Sequence, residues 1–210
     1  MSNVLLGLTG SVAAVKAPEL TAALLAKGHA VKAVATDAAT YFFNPAALGC
    51  ELVRDADEWP GERYERGDAV KHIELRKWAD LFLIAPLDAN TLAKLALGLC
   101  DNALTCVWRA WDPAKPVVLA PAMNTLMWEN SFTRRHLRSI AADFGAGHIP
   151  GHLDQDQLVP VMNDRCKGLR VAAPVSKALA CGDVGIGAMA DLVSIVGMVE
   201  ATKADPLRSQ

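Results

Sequence analysis

Short aliphatic runs alternate along this chain with stretches of helical character. Val4–Leu8 precedes Ser11–Lys27, Val31–Thr36 precedes a helix near Ala38–Leu48, Leu81–Ala85 precedes Ala89–Leu97, and Val117–Ala120 precedes Thr125–Ala142. Repeated strand-then-helix units predict an α/β fold, a three-layer, doubly wound parallel sheet of flavodoxin or Rossmann-like type. Leu81-Phe82-Leu83-Ile84 and Val117-Val118-Leu119 are apolar at every position rather than every second one, as central strands covered by helices on both faces should be. Pro86 is expected to stop the first of these runs. Pro18 bends the first helix unless that helix starts near Ala17, where proline fits the first turn.

In such a sheet ligands bind beyond the carboxyl ends of the strands, which selects four loops. Gly7-Leu8-Thr9-Gly10-Ser11 offers two glycines, two hydroxyls and the free amides of a helix start, a combination suited to an anion. Thr9 and Val12 stand where a dinucleotide fingerprint would have its second and third glycines, so a phosphate monoester fits better than a pyrophosphate. Thr36-Asp37-Ala38 ends the second strand, and Asp37 either holds a ribose hydroxyl or caps the next helix. The third and fourth loops match each other: Ile84-Ala85-Pro86 is followed by Asn90, and Leu119-Ala120-Pro121 by Asn124. Each amide either meets a ligand or caps a helix.

Composition narrows the partners. The 210 residues, 52% of them apolar, can bury a core without a disulfide or metal staple, and two full domains are not expected. A net charge of −2 gives no basic field for nucleic acid. No apolar run approaches the ~20 residues of a membrane span. Met1–Gly10 lacks the basic start of a signal peptide, so a cytoplasmic location is expected. Five cysteines, at 50, 100, 106, 166 and 181, lack CxxC spacing and argue against both a disulfide framework and a metal cluster.

Two further stretches carry candidate chemistry. His72 opens an amphipathic segment, Val70–Asp80, that leads into the third strand, and a lone histidine there is by itself most often structural. Cys181 precedes Gly182, Gly185 and Gly187 in a stretch that reads as a flap able to fold over a ligand, with a thiol at its base.

Five ordered motifs, Gly10-Ser11-Val12-Ala13-Ala14, His72-Ile73-Glu74-Leu75 with Trp78-Ala79-Asp80, Ala89-Asn90-Thr91, Pro121-Ala122-Met123-Asn124 with Met127-Trp128, and Ala180-Cys181-Gly182-Asp183, together resemble the homo-oligomeric flavin-containing cysteine decarboxylases. The resemblance covers Val4 to about Pro150 and Ala178 to Ala190. It implies a lyase of coenzyme A biosynthesis: FMN-dependent decarboxylation of 4′-phosphopantothenoylcysteine to 4′-phosphopantetheine, through thiol oxidation to a thioaldehyde, loss of CO2 and reduction of the enethiolate. It implies FMN contacts at Gly10, Ser11, Val12, Ala13, Thr36, Asp37, Ala38, Asp88, Ala89, Asn90, Thr91 and Ala122. By the same resemblance Asn124 holds the substrate carboxylate, with Ala180 and Met189 as weaker substrate contacts, while His72 is the base near the thiol and Cys181 the final proton donor. Family members are trimers with active sites between subunits, so a homotrimer is implied.

Two departures accompany the resemblance. Asp88 stands where many relatives carry Ser or Thr, and a carboxylate near a phosphate repels unless it points away. Residues 151–171, rich in Asp, Gln and Asn, read as a solvent-exposed excursion before the flap at 178–190, with Leu169–Pro174 returning as a strand. The flavoprotein domain is placed at 1–204, with 205–210 as a fraying tail. A flavin-binding regulatory subunit and a peptidyl-cysteine decarboxylase are the alternatives within the family, and a nicotinamide dehydrogenase the alternative outside it.

Overall fold

A computed structural model describes residues 1–63, 65–178 and 184–203. In chain order, β1 (Asn3–Leu8) leads through a 3-10 turn at Val12–Lys16 into α1 (Ala17–Ala26), then β2 (Ala30–Ala35), α2 (Asp37–Thr40), β3 (Glu51–Val53), α3 (Asp55–Glu58) and α4 (Lys71–Trp78). The second half runs β4 (Leu81–Leu87), α5 (Ala89–Leu97), α6 (Ala103–Arg109), β5 (Val117–Pro121), α7 (Thr125–Trp128), α8 (Ser131–Asp143), α9 (Gln155–Arg165) and β6 (Leu169–Val171). A hairpin of β7 (Val175–Ala178) and β8 (Val184–Ala188) precedes α10 (Leu192–Lys203).

Strands β1 to β6 form one parallel sheet in the order 3-2-1-4-5-6. That order reverses between β1 and β4, so a crevice opens at their carboxyl ends. Alternation along each strand feeds two cores: Leu5, Phe82, Ile84, Val117 and Leu119 face one helical layer, while Leu6, Leu83, Ala85, Val118 and Ala120 face the other. Every residue of β4 and β5 is buried, as the uninterrupted apolar runs predict.

Helix α1 starts at Ala17 with Pro18 in its first turn, so the proline costs no interior hydrogen bond. Four expectations are corrected. The helix near Ala38–Leu48 is only α2 plus a 3-10 turn at Pro45–Ala47, because Asn44 and Pro45 restart the chain with a new cap. Thr125–Ala142 is two helices, since Asn130 accepts from the Phe132 N–H and begins α8 afresh. Strand β4 continues through Pro86 to Leu87, and the Ala85–Pro86 bond is cis. Residues 151–171 are not an exposed excursion. Leu158, Val159, Met162 and Cys166 bury one side of α9 in the core, and Leu169 and Val171 carry the sixth strand alongside β5. The apolar positions of that segment are sparse but fall on one helical face, which its polar composition hides. The expected strand within Leu169–Pro174 is present as β6.

Candidate active site

Three strand-end loops meet at the switch point. Gly10 has no side chain because none fits: a Cβ there would lie 2.8 Å from the Ala38 Cβ and 3.2 Å from Asp88 Oδ2. The loops after β1, β2 and β4 therefore converge within van der Waals contact at one glycine. Thr9, fully buried, ties two of them together, since its hydroxyl donates to the Pro86 carbonyl at 2.8 Å and accepts from the Asp88 N–H at 2.7 Å. The fourth loop joins through the Ala122 N–H, which donates to the Leu87 carbonyl at 2.9 Å.

Helix starts surround this junction, and their caps come from expected site residues. Ser11 Oγ accepts from the Ala13 N–H, Thr36 Oγ1 from the Ala39 N–H, Asp88 Oδ1 from the Thr91 N–H and Asn124 Oδ1 from the Leu126 N–H. Thr36, not Asp37, is the cap of α2; Asp37 is exposed, with Arg54 Nη2 3.8 Å from its Oδ1. One oxygen of Asp88 is tied to the next helix while its Oδ2 stays over Gly10 in the anion loop. At 2.7 Å its carboxylate is engaged by the Thr91 amide at the start of α5, where negative charge is favourable. The glycine cradle at Gly10, the hydroxyls of Ser11 and Thr36 and the convergent helix starts fit a phosphorylated flavin. Val12 is 47% exposed and Ala13 partly so, while Ala89 is half-buried, Asn90 exposed and Thr91 buried beside them.

Asn124 sits where the hairpin docks. Met123 N–H donates to the Gly187 carbonyl at 2.9 Å, and a Cβ on Gly187, whose φ is +137°, would come within 2.2 Å of the Met123 carbonyl. Only glycine allows that approach. Behind Asn124, buried Gln155 donates to the Trp128 and Asn130 carbonyls, and the Trp128 indole donates to Asp156 Oδ1 at 3.1 Å. The start of α9 thus braces the helix that Asn124 caps. Met189 is 7% exposed and packs in the same core as Ala122, which leaves it little surface for a substrate. Ala180 and Cys181 lie outside the described residues.

His72 stands on α4 with a different partner. Its Nδ1 lies 2.5 Å from Glu58 Oε1, and its backbone N–H donates to Glu58 Oε2 at 2.8 Å. Sequence reasoning missed Glu58 and Gln155; it marks Thr9 as an anion-loop hydroxyl, and the tie that Thr9 makes between two loops is what the structure adds. Glu58 is one of three acidic residues in Asp55-Ala56-Asp57-Glu58, and nothing in their spacing singles it out; the buried Thr9 sits inside the anion loop, where its polar side chain among glycines is the available signal. Burial pushes the thiols of Cys50, Cys106 and Cys166 up to about 11, so these three stay protonated at neutral pH. Among the described residues no group of three or more His, Cys, Asp or Glu side chains is placed to hold a metal.

The same architecture recurs in proteins of known structure. A PPC decarboxylase carrying a cysteine-to-serine mutation, complexed with pantothenoylaminoethenethiol, is 43% identical, with a TM-score of 0.79 over 97% of this chain and 98% of that one. The FMN-binding protein AtHal3 is 44% identical, with a TM-score of 0.74 over 95% of both chains. Among curated proteins, phosphopantothenoylcysteine decarboxylase of Mus musculus is 47% identical over 200 residues, covering 95% of this chain and 86% of the mouse protein. The Oryza sativa subsp. japonica enzyme of the same name is 44% identical over 210 residues, covering 99% of this chain and 84% of that one. The Flavoprotein family model matches residues 1–203, and with the switch-point cradle in place this chain belongs to that family.

Proposed function

We propose that this protein is an FMN-dependent phosphopantothenoylcysteine decarboxylase, forming 4′-phosphopantetheine and CO2 in coenzyme A biosynthesis. The observation that carries the reading is the junction of three loops at Gly10, in a chain that is 47% identical to the mouse decarboxylase across 95% of its length. A simple alkyl carboxylate has no sink for the electrons that decarboxylation leaves on carbon, and FMN supplies a reversible two-electron acceptor that lets the substrate pass through a thioaldehyde.

The residues around it have separate tasks. Gly10, Ser11, Val12 and Ala13 receive the flavin phosphate at the start of the first helical turn, with Thr36, Asp37 and Ala38 on one side and Asp88, Ala89, Asn90, Thr91 and Ala122 on the other. Asn124 orients the substrate carboxylate from the fourth loop. His72 takes the thiol proton, and Cys181 returns a proton to carbon at the end. Following the family resemblance, the site is completed between subunits of a homotrimer, His72 of one subunit meeting Asn124 and Cys181 of its neighbour. Leu126, Met127 and Phe132, exposed by 76%, 49% and 58%, provide apolar surface beside Asn124 for such an assembly. A cytoplasmic setting agrees with the free thiols of Cys50, Cys100, Cys106 and Cys166. Among the described residues no helix is long and apolar enough to cross a membrane.

A single-turnover reaction with phosphopantothenoylcysteine, followed by flavin absorbance and product mass together, tests the assignment. The wild type should yield phosphopantetheine, and Cys181→Ser should stop at a product two hydrogens lighter with the flavin reduced. Flavin binding without release of CO2 would instead support the regulatory alternative.

A further inference from the structure

We propose that Glu58 is a positioning residue for His72, holding its imidazole as the Nδ1–H tautomer so that the basic nitrogen offered to substrate is Nε2. The proposal rests on the reading of His72 as the proton acceptor. Both oxygens of one carboxylate engage one residue: Oε1 lies 2.5 Å from the ring Nδ1, and Oε2 accepts the His72 backbone N–H at 2.8 Å. An ionised carboxylate only accepts, so the ring atom facing it must carry the hydrogen. That leaves the lone pair on the opposite nitrogen.

Burial makes this arrangement specific. The Glu58 side chain is 5% exposed against 24% for His72, so the carboxylate lies behind the ring rather than beside it in water. A carboxylate out of solvent is costly unless its hydrogen bonds are met, and an apolar residue would fill the same space without that cost. The short α3 that carries Glu58 is itself fixed. Its start is closed by reciprocal bonds between Arg54 and Asp57, and Asp55 Oδ1 accepts the Ala103 N–H at 2.8 Å, docking α3 on the first turn of α6. Glu58 is therefore placed by a framework independent of α4, as a group that aims another must be. When the thiol proton moves to Nε2 the ring becomes a cation, and the carboxylate behind it stabilises that charge.

One role of Glu58 is plainly structural: Val70 gives α4 no side-chain cap, and Oε2 satisfies one of its first amides from outside. The test separates the two. In the FMN-loaded protein, the ring nitrogen resonances of His72, assigned by their loss in His72→Asn, should show a protonated Nδ1 and an unprotonated Nε2. Glu58→Gln should shift the ring toward the Nε2–H form and lower kcat roughly 10- to 100-fold with KM little changed, and Glu58→Asp should recover part of the loss. A wild-type ring protonated at Nε2 overturns the proposal, and does so even where the Gln variant fails to fold. So does a Glu58→Gln protein with normal melting and flavin binding whose kcat and tautomer stay as in the wild type. Should His72→Asn retain full kcat, the reading of His72 as base fails instead, and the tautomer measurement still judges Glu58.

Discussion

The sharpest physical constraints in this protein sit at single residues. Gly10 is enclosed by Ala38 and Asp88, so Gly10→Ala must push one loop outward. Overpacking of this kind costs about 1–3 kcal/mol. The expected result is weakened flavin retention, measured by absorbance after gel filtration, with melting lowered only modestly. Gly187 is tighter still, because an added Cβ meets a backbone carbonyl and the positive φ is unfavourable for any other residue. Gly187→Ala should release the hairpin from the Met123 loop, detected as faster amide exchange at Met123. Burial also sets thiol chemistry. With their pKa near 11, Cys50, Cys106 and Cys166 are thiolates in roughly one molecule in a thousand at pH 8. Iodoacetamide at that pH should leave these three unmodified in the native protein while alkylating exposed Cys100, as peptide mass mapping would show.

At the scale of elements, the brace between α9 and α7 is the feature that composition disguised. Gln155 closes two carbonyls at the turn between α7 and α8, and Leu158, one turn further along α9, is fully buried. Leu158→Ala should cost about 2–5 kcal/mol in urea unfolding; an exposed excursion would cost almost nothing. Gln155→Ala takes the donor from the buried Trp128 carbonyl, a loss of about 1–3 kcal/mol. Because the Trp128 carbonyl ends the helix that Asn124 caps, the same variant should raise KM for the carboxylate-bearing substrate more than it lowers kcat.

For the whole molecule, electrostatics adjusts stability without deciding the fold. Hydrogen bonding and attraction from Lys94 lower the Asp101 carboxyl below its ordinary 3.8. A carboxyl depressed in the folded state adds stability above the unfolded-state value and loses it as pH falls through the folded one. The melting difference between wild type and Asp101→Asn should thus be present at pH 7 and vanish toward pH 3. It should also shrink with salt, since the Asp101 side chain is 60% exposed. Assembly belongs to this scale as well. Sedimentation of the native protein should give a trimer, and Leu126→Asp, which places a charge on the exposed apolar patch, should yield smaller species that have lost turnover.

What could be read from the sequence were the features that local chemistry dictates. The continuous apolar runs at Leu81–Ala85 and Val117–Ala120 required strands covered on both faces, and the strand-then-helix alternation required a parallel sheet with its ligands at the carboxyl ends. The glycine, threonine and serine of the first loop marked an anion site, and the ordered motifs pointed to the flavin family. The helix breaks at Asn44 and Asn130 were legible as caps in principle but were masked by the helical composition on either side. Long-range pairing was not legible at all. That Asp88 turns its charge into the first turn of α5, that Thr9 joins two loops 77 residues apart, that Glu58 backs His72 and that the polar segment 151–171 braces Asn124 depend on which distant surfaces meet. Residue spacing fixes the period of a helix or strand, but only packing decides which buried polar group becomes the partner of another.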